Sequence, residues 1–410
     1  MSALKYWLWL TTRPSLKPGE AAALAERFGG PERVYFADPA EYALAGISSR
    51  LREELEHKEL DWPERILEDC ARLEIRVLTM QDAEYPERLR QIDAPPAVLY
   101  VKGRTIPFDE LVSVGVVGSR RPTPYGIQMA GDLGRDLAYR GAVVVSGIAQ
   151  GIDSAALRGA ILAGGTVCSV LGGGIDVVYP SSSADLFRVI PQVGALVSEY
   201  PPGTATEGRH YPIRNRIISG LSLGVAAVQG GERSGTLITA RTALDQNRDV
   251  FAFPGLAGDP ASAGTNLLIQ RGEAKLIQSA ADILEEYEGL YPERSQARPA
   301  VERPLEQIVS RTETPQSRSV PAEKPVDKRP GRAYSTFEAQ TEEFTDDEKK
   351  VLLTLGERTL RPDDLIGETG LPTQRVLTVL TILTMRGFLT ERPGNGFEAV
   401  TVFRAPDDAT

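Results

Sequence analysis

Between residues 110 and 285 short apolar runs rich in β-branched residues alternate with helix-like segments. This alternation restricts the fold more than any other feature of the chain. The strand candidates are LVSVGVVGS, GAVVVSG, GTVCSVLGGG, GALVSEYP, LGVAAVQGG, RDVFAFPG and KLIQS, with helical runs such as YGIQMAGDLGRDLAYR and SGTLITARTALDQ between them. A strand that is apolar at nearly every position must be covered on both faces, as in a parallel sheet wound with crossover helices. The pattern predicts an α/β fold: a Rossmann-like, doubly wound, mainly parallel sheet. RVLTM at 76 and the strand after Pro95-Pro96 extend this domain to 76–288.

With 410 residues, the chain is too long for one core, and two or three domains are expected. Residues 1–75 read as short helices, one of them opened near Pro18 and stopped at Gly29-Gly30. Such a segment is either a small packed bundle or a helix-hairpin-helix clamp for DNA, and its acidity favours the bundle. Residues 289–344 are rich in Pro, Ser, Glu, Gln and Arg and poor in large apolar residues, so a flexible linker is expected. Residues 345–410 read as three helices followed by a strand, a Gly-Asn-Gly turn and a strand, the pattern of a winged helix-turn-helix.

Glycine-rich turns recur where the predicted strands end, at Gly118-Ser-Arg-Arg, Ser146-Gly-Ile-Ala-Gln-Gly-Ile-Asp, Gly172-Gly-Gly-Ile-Asp and Gly230-Gly-Glu-Arg-Ser-Gly-Thr. In an open parallel sheet these ends share one edge, where ligands bind. A strand stopping at Gly118 before a helix is expected to leave backbone N–H groups free for an anion, and phosphate is the natural guest. Its owner could be a nucleotide to be hydrolysed, a redox dinucleotide or a nucleic-acid backbone. No Gly-x-x-x-x-Gly-Lys-Ser/Thr loop occurs, and Lys275 is the sole lysine between 110 and 285, which argues against a P-loop NTPase. The Gly118 turn lacks Gly-x-Gly-x-x-Gly spacing, and no acidic residue ends the next strand, which argues against a dinucleotide.

The predicted loops carry arginines instead: Arg120, Arg121, Arg158, Arg209, Arg214, Arg216 and Arg233. Around Tyr211 they interleave with an aromatic and an amide, a mixture that suits a sugar-phosphate track with unstacked bases. About half of these arginines are expected to pair with Asp153, Asp176, Glu199 and Glu232. The net charge of −10 supplies no global pull on a polyanion, so any such site must be local. A thin single strand enters recessed loops more easily than a stiff duplex does. Cys70 and Cys168 read as buried inert thiols, and two histidines cannot build a His-rich metal site. No metal and no cofactor is expected. YWLWL at 6–10 is too short for a membrane span or a signal segment, so a cytoplasmic location is expected.

VVGSR at 116, SGIAQGID at 146, LGGGIDVVYP at 171, SEYPPG at 198, YPIRNRIISGLS at 211, SGTLITA at 234, FPG at 253 and GTNLLIQRGEA at 264 occur in order and closely resemble the DNA-processing protein A family (DprA, also called Smf). The N-terminal helices resemble that family's SAM-like domain and the tail resembles its winged helix, both more loosely. The resemblance implies a homologous-recombination mediator with no catalytic residues. It would bind single-stranded DNA during natural transformation, shield it, and load RecA recombinase in the presence of single-stranded DNA-binding protein. A homodimer through about 225–275 is implied as well. Carried over by position, Gly118, Ser119 and Arg120 form the phosphate pocket, joined by Arg214, Asn215 and Arg216. Arg121, Ser146, Gly147, Arg158, Arg209 and Tyr211 complete the candidate DNA-binding set, Tyr211 standing where the family has Phe. The family often has a lysine after the Tyr-Pro of this region; here Ser181 follows Tyr179-Pro180, which puts that cation in doubt, with Arg188 as a substitute.

The predicted recognition helix of the tail offers Arg375, Arg386, Gln374 and threonines, and acidic residues outnumber basic ones eleven to eight across 345–410. Reading a major groove needs phosphate anchors, so a protein-contact or autoregulatory role is expected. Two rival functions stand beside the main one. The GGERSGT turn has some likeness to the Gly-Gly-x-Gly-Thr loop of nucleotide phosphoribohydrolases, a nucleotide-processing enzyme that would use Glu199 or Glu232 with Arg120. A nucleotide-sensing winged-helix regulator is the third reading.

Overall fold

The computed structural model describes residues 3–291, 334–335 and 344–403, the last apart from 357, 374, 377–378, 381–382, 384–387, 393–395 and 400–401. The chain divides into two compact units, Met1–Pro315 and Gln316–Thr410.

The first unit is built on nine strands: β1 (Arg76–Thr79), β2 (Val98–Gly103), β3 (Ser113–Val117), β4 (Val143–Ser146), β5 (Val167–Leu171), β6 (Ala195–Ser198), β7 (Gly224–Ala227), β8 (Asp249–Ala252) and β9 (Lys275–Leu276). They form one sheet in the order β1-β2-β6-β5-β4-β3-β7-β8-β9. Every pairing from β6 to β9 is parallel, as predicted, while β2 runs antiparallel to both β1 and β6. The near-continuous apolar runs follow from two-sided cover. In β4, Val144 enters one apolar core while Val143 and Val145 enter the core on the opposite face, as the two-residue period of a strand requires. The chain winds outward from β3 through β6 and then returns to β7, so the order reverses between β3 and β7. Strand ends at such a reversal open a crevice.

Six helices precede the sheet: α1 (Leu4–Thr11), α2 (Glu20–Phe28), α3 (Pro31–Phe36), α4 (Pro39–Leu44), α5 (Ser49–Glu56) and α6 (Asp61–Arg72). Gly29 ends α2 with φ of 81°, a left-handed cap that glycine adopts without steric cost. Trp7, Leu8, Trp9 and Leu10 of α1 are all buried. Trp7 and Trp9 belong to the same apolar cluster as Val114 and Val144 of the sheet. The helices of 1–75, expected as a domain of their own, therefore share a core with one face of the sheet.

The remaining helices of this unit are α7 (Glu87–Arg90), α8 (Pro124–Tyr139), α9 (Ile152–Leu162), α10 (Ala184–Val193), α11 (His210–Gly220), α12 (Gly235–Asp245), α13 (Ala263–Gln270) and α14 (Ala281–Leu284). Three placements correct the sequence reading. Arg214 and Arg216, expected in a loop, lie on α11, and Arg158 lies on α9. Tyr211-Pro212 sits in the first turn of α11, where proline lacks only an N–H that a helix start leaves unpaired anyway.

The second unit is a winged helix. Helix Asp346–Leu355 opens on a reciprocal cap between Thr345 and Glu348, helix Pro362–Thr369 follows, and helical residues recur between 373 and 383. Strands Thr359–Leu360, Gly396–Ala399 and Leu389–Arg392 form an antiparallel sheet in that order. The segment expected as a linker, 289–344, lies almost wholly outside the described residues. Its described part includes a short strand, Tyr334–Ser335, paired with Val402–Phe403. On the predicted recognition helix, Arg375 is neutralised by Asp347 at 2.6 Å; Gln374 and Arg386 lie outside the described residues.

Candidate functional site

The carboxyl ends of β3, β4 and β5 converge on a cleft with about 520 Å³ of open space, walled by Arg120, the 147–150 turn, Gly172, Gly173, Tyr179 and Tyr211. Arg120 is exposed, has no acidic partner among the described residues, and lies over the Tyr211 ring with its guanidinium 4.4 Å from the centroid. Tyr179, itself 54% exposed, lines the same cleft as Tyr211. Burial raises the Tyr211 hydroxyl pKa, and the nearby Tyr179 adds to the rise, so the Tyr211 phenol stays neutral near pH 7. A cation over one face of an aromatic ring offers a phosphate contact and a stacking surface side by side.

Beneath this surface lies a brace. Arg214 is 4% exposed; its Nη1 donates to the carbonyl oxygens of Gly147 (2.9 Å) and Val170, and its Nε to Asn215 Oδ1 (3.2 Å). Gly147 is glycine because the guanidinium occupies its side-chain position: a Cβ there would sit 2.2 Å from Arg214 Nη1. Asp153 closes the same turn by accepting from the Gly147 amide at 3.1 Å. Burial pushes the Asp153 carboxyl pKa up, opposed by the charge of Arg214 and the amides of Gly147 and Ala149. Burial likewise lowers the pKa of Arg214, with Asp153 opposing. The turn so held places Ile148 at φ of 57°, a left-handed conformation that a β-branched residue adopts only when its surroundings impose it.

The other candidate residues fall on both sides of this division. Arg121 is exposed, and its amide donates to the Ser119 hydroxyl at 3.1 Å. The Ser119 amide donates to Gln229 O, and Gly118 admits Ile152, whose Cγ1 would lie 2.5 Å from a Cβ there. The free amides expected after Gly118 are partly used internally: Thr123 Oγ1 accepts from Gly126 N, and Gln229 Oε1 accepts from Thr123 N. Ser146 is fully buried and donates to Val116 O. Asn215 Nδ2 donates to Thr239 Oγ1 at 2.8 Å, tying α11 to α12.

Of the expected acid pairs, Arg216 with Glu199 is present at 2.7 Å. Asp176 instead accepts from the Gly203 amide, and Arg158 and Arg209 take acids the sequence reading did not name, Asp185 and Glu207. Burial works against the Asp185 charge, but the hydrogen bonds and charge of Arg158 outweigh it and lower its pKa. Tyr179 was missed as a site residue; its Tyr-Pro position at the end of a glycine-rich turn was the available signal.

The fold and this edge define a class: a Rossmann-like α/β protein with a cation-bearing cleft at its strand ends, followed in sequence by a winged helix. The model of the family described as DNA recombination-mediator protein A matches residues 76–288, and that of the DprA winged helix domain matches 335–395. The chain is 44% identical over 221 residues to the DNA processing protein DprA of Bacillus subtilis, covering 54% of this chain and 73% of that protein. It is 29% identical to Protein Smf of Synechocystis sp. over 96% of this chain and 98% of that one. The crystal structure of DNA processing protein A from Streptococcus pneumoniae superposes with a TM-score of 0.61 at 31% identity, covering 70% of this chain and 99% of that chain. This chain belongs to the DNA recombination-mediator protein A family.

Proposed function

We propose that this chain binds single-stranded DNA without sequence preference through the Arg120–Tyr211 edge, protects it, and loads RecA recombinase onto it in transformation and recombination, with no catalytic step of its own. The observation that carries the reading is the exposed Arg120 guanidinium held over Tyr211 at the mouth of a glycine-walled cleft. A charge that contacts phosphate and a ring that stacks any base are both indifferent to sequence. Arg120, Arg121, Tyr211 and Tyr179 make the direct contacts, while Arg214, Asn215, Arg216, Ser146 and Gly147 hold the turns that present them. The homodimer surface at about 225–275 is supported by exposed Ile238, Leu244 and Leu256. Among the described residues no helix is long and apolar enough to cross a membrane.

The test is fluorescence anisotropy of a labelled single strand and its duplex, wild type against Arg120→Ala, at two salt concentrations. Single-strand preference that weakens with salt and collapses in the variant supports the reading. Equal binding by both proteins, or none by either, would sink it and favour a nucleotide as guest.

A further inference from the structure

Directly after the neighbouring strand β7, the turn 230–236 leads into α12, a helix of 11 residues. Ser234 stands at its N-cap but makes no side-chain capping bond, although serine is among the residues that most readily do so. Its Oγ is buried and without a hydrogen-bond partner, and so is Oγ1 of Thr236, a residue only 4% exposed. The two hydroxyls converge over Gly230: a Cβ there would lie 2.9 Å from Ser234 Oγ and 3.0 Å from Thr236 Oγ1. Buried hydroxyls are costly to leave unpaired, and two at one point mark a guest that accepts hydrogen bonds.

The helix start adds first-turn amides with no intrahelical acceptor and the positive end of the dipole. Arg233 in the same turn is exposed and makes no ion pair among the described residues; exposed Glu232 beside it is the one opposing charge of the turn. The place also adjoins the Arg120 turn, because Ser119 N donates to the carbonyl of Gln229, one residue before Gly230, at 2.8 Å.

We propose that the β7–α12 turn is a second phosphate site, in which Ser234 Oγ, Thr236 Oγ1 and the first-turn amides of α12 hold one phosphate group apart from the Arg120 cleft. The site rests on the single-strand reading only for the source of its guest. If that reading holds, the phosphate belongs to the strand backbone as it crosses from β3 to β7; otherwise it belongs to free phosphate or a nucleotide.

The experiment uses the full chain and the variants Thr236→Val, Ser234→Asp and Arg120→Ala. Thermal unfolding is followed in inorganic phosphate and in chloride of equal ionic strength, and single-strand affinity by anisotropy. Thr236→Val keeps the side-chain shape and removes only the hydroxyl, so in chloride it should unfold no lower than wild type. It should then lose any phosphate-specific stabilisation or about tenfold in single-strand affinity. Loss of affinity identifies the backbone as the source, whereas loss of the phosphate effect alone identifies a free phosphate. Ser234→Asp places a carboxylate at the helix start, and should raise the melting temperature and abolish the same response.

The proposal is overturned if Thr236→Val melts lower than wild type in chloride, since the hydroxyl would then have a structural partner. It is equally overturned if the variant keeps both the phosphate response and the affinity. Arg120→Ala separates the two readings, because it should lose single-strand binding while keeping any stabilisation by inorganic phosphate. Failure of wild type to bind single strands, with a phosphate response that Thr236→Val removes, would fell the single-strand reading and leave this site standing.

Discussion

Arg120 and Arg214 approach the same tyrosine, 4.4 and 5.8 Å from the Tyr211 ring, yet they belong to two different regions of the molecule. Arg120 stands in solvent with no acid beside it among the described residues, whereas Arg214 is buried and directs its donors to Gly147, Val170 and Asn215. Residue type and spacing put both in one basic cluster. Burial and hydrogen-bond partners separate them into a cation available to a guest and a cation that fixes the cleft wall. The difference shows that a count of arginines overstates a binding surface, because some of the positive charge has already been claimed by the fold.

That division can be broken most sharply at the brace. Arg214→Met should cost about 3–5 kcal/mol of stability, since it leaves Asp153 buried without its opposing charge. Chemical denaturation would read the loss, and a normally stable variant that had lost only DNA affinity would place Arg214 among the contacts instead. The deficit should also shrink on acidification. Burial raises the Asp153 pKa in the folded chain, so the folded state holds that proton more tightly than the unfolded chain does. Lowering the pH through the folded-state value therefore favours folding at this group, and unfolding curves between pH 7 and 5 would show whether it does.

Arg120→Ala should do the reverse, costing about 1.5–3 kcal/mol of single-strand affinity while moving stability by no more than about 0.5 kcal/mol. A melting temperature well below wild type would contradict the separation. Tyr211→Leu should lose about 1–3 kcal/mol of affinity, and Tyr211→Phe should recover most of it if the ring is what stacks; equal losses would show that the hydroxyl is what counts. The smallest effect is expected at Arg158, whose half-exposed pair with Asp185 should be worth about 0–1 kcal/mol, with single-strand affinity nearly unchanged in Arg158→Ala.

The strands were legible because two-sided burial writes itself into composition. Val143, Val144 and Val145 announce a covered strand whichever way each side chain points. The antiparallel β1–β2 edge was visible as strands but not as a direction, since nothing in RVLT or VLYVKG encodes which neighbour it pairs with. At the site, glycines marked the right turns for only part of the reason: Gly147 makes room for Arg214 and Gly118 for Ile152. Such crowding comes from residues tens of positions away and leaves no local trace. The helical placement of Arg214 was hidden by Tyr211-Pro212, which reads as a break in sequence and serves as a helix start in space. In the tail, Arg375 looked like a scarce groove reader, and only the fold brings Asp347 against it.

The apolar cluster running from Trp7 to Val114 has a practical meaning for anyone shortening this chain. A cut before residue 76, where the family match begins, would strip α1 from β2 and expose apolar surface at that side of the sheet, around Val98 and Tyr100. The leading helices complete the cover of that side of the sheet, so a shortened chain that keeps the fold must retain α1 from Leu4 onward.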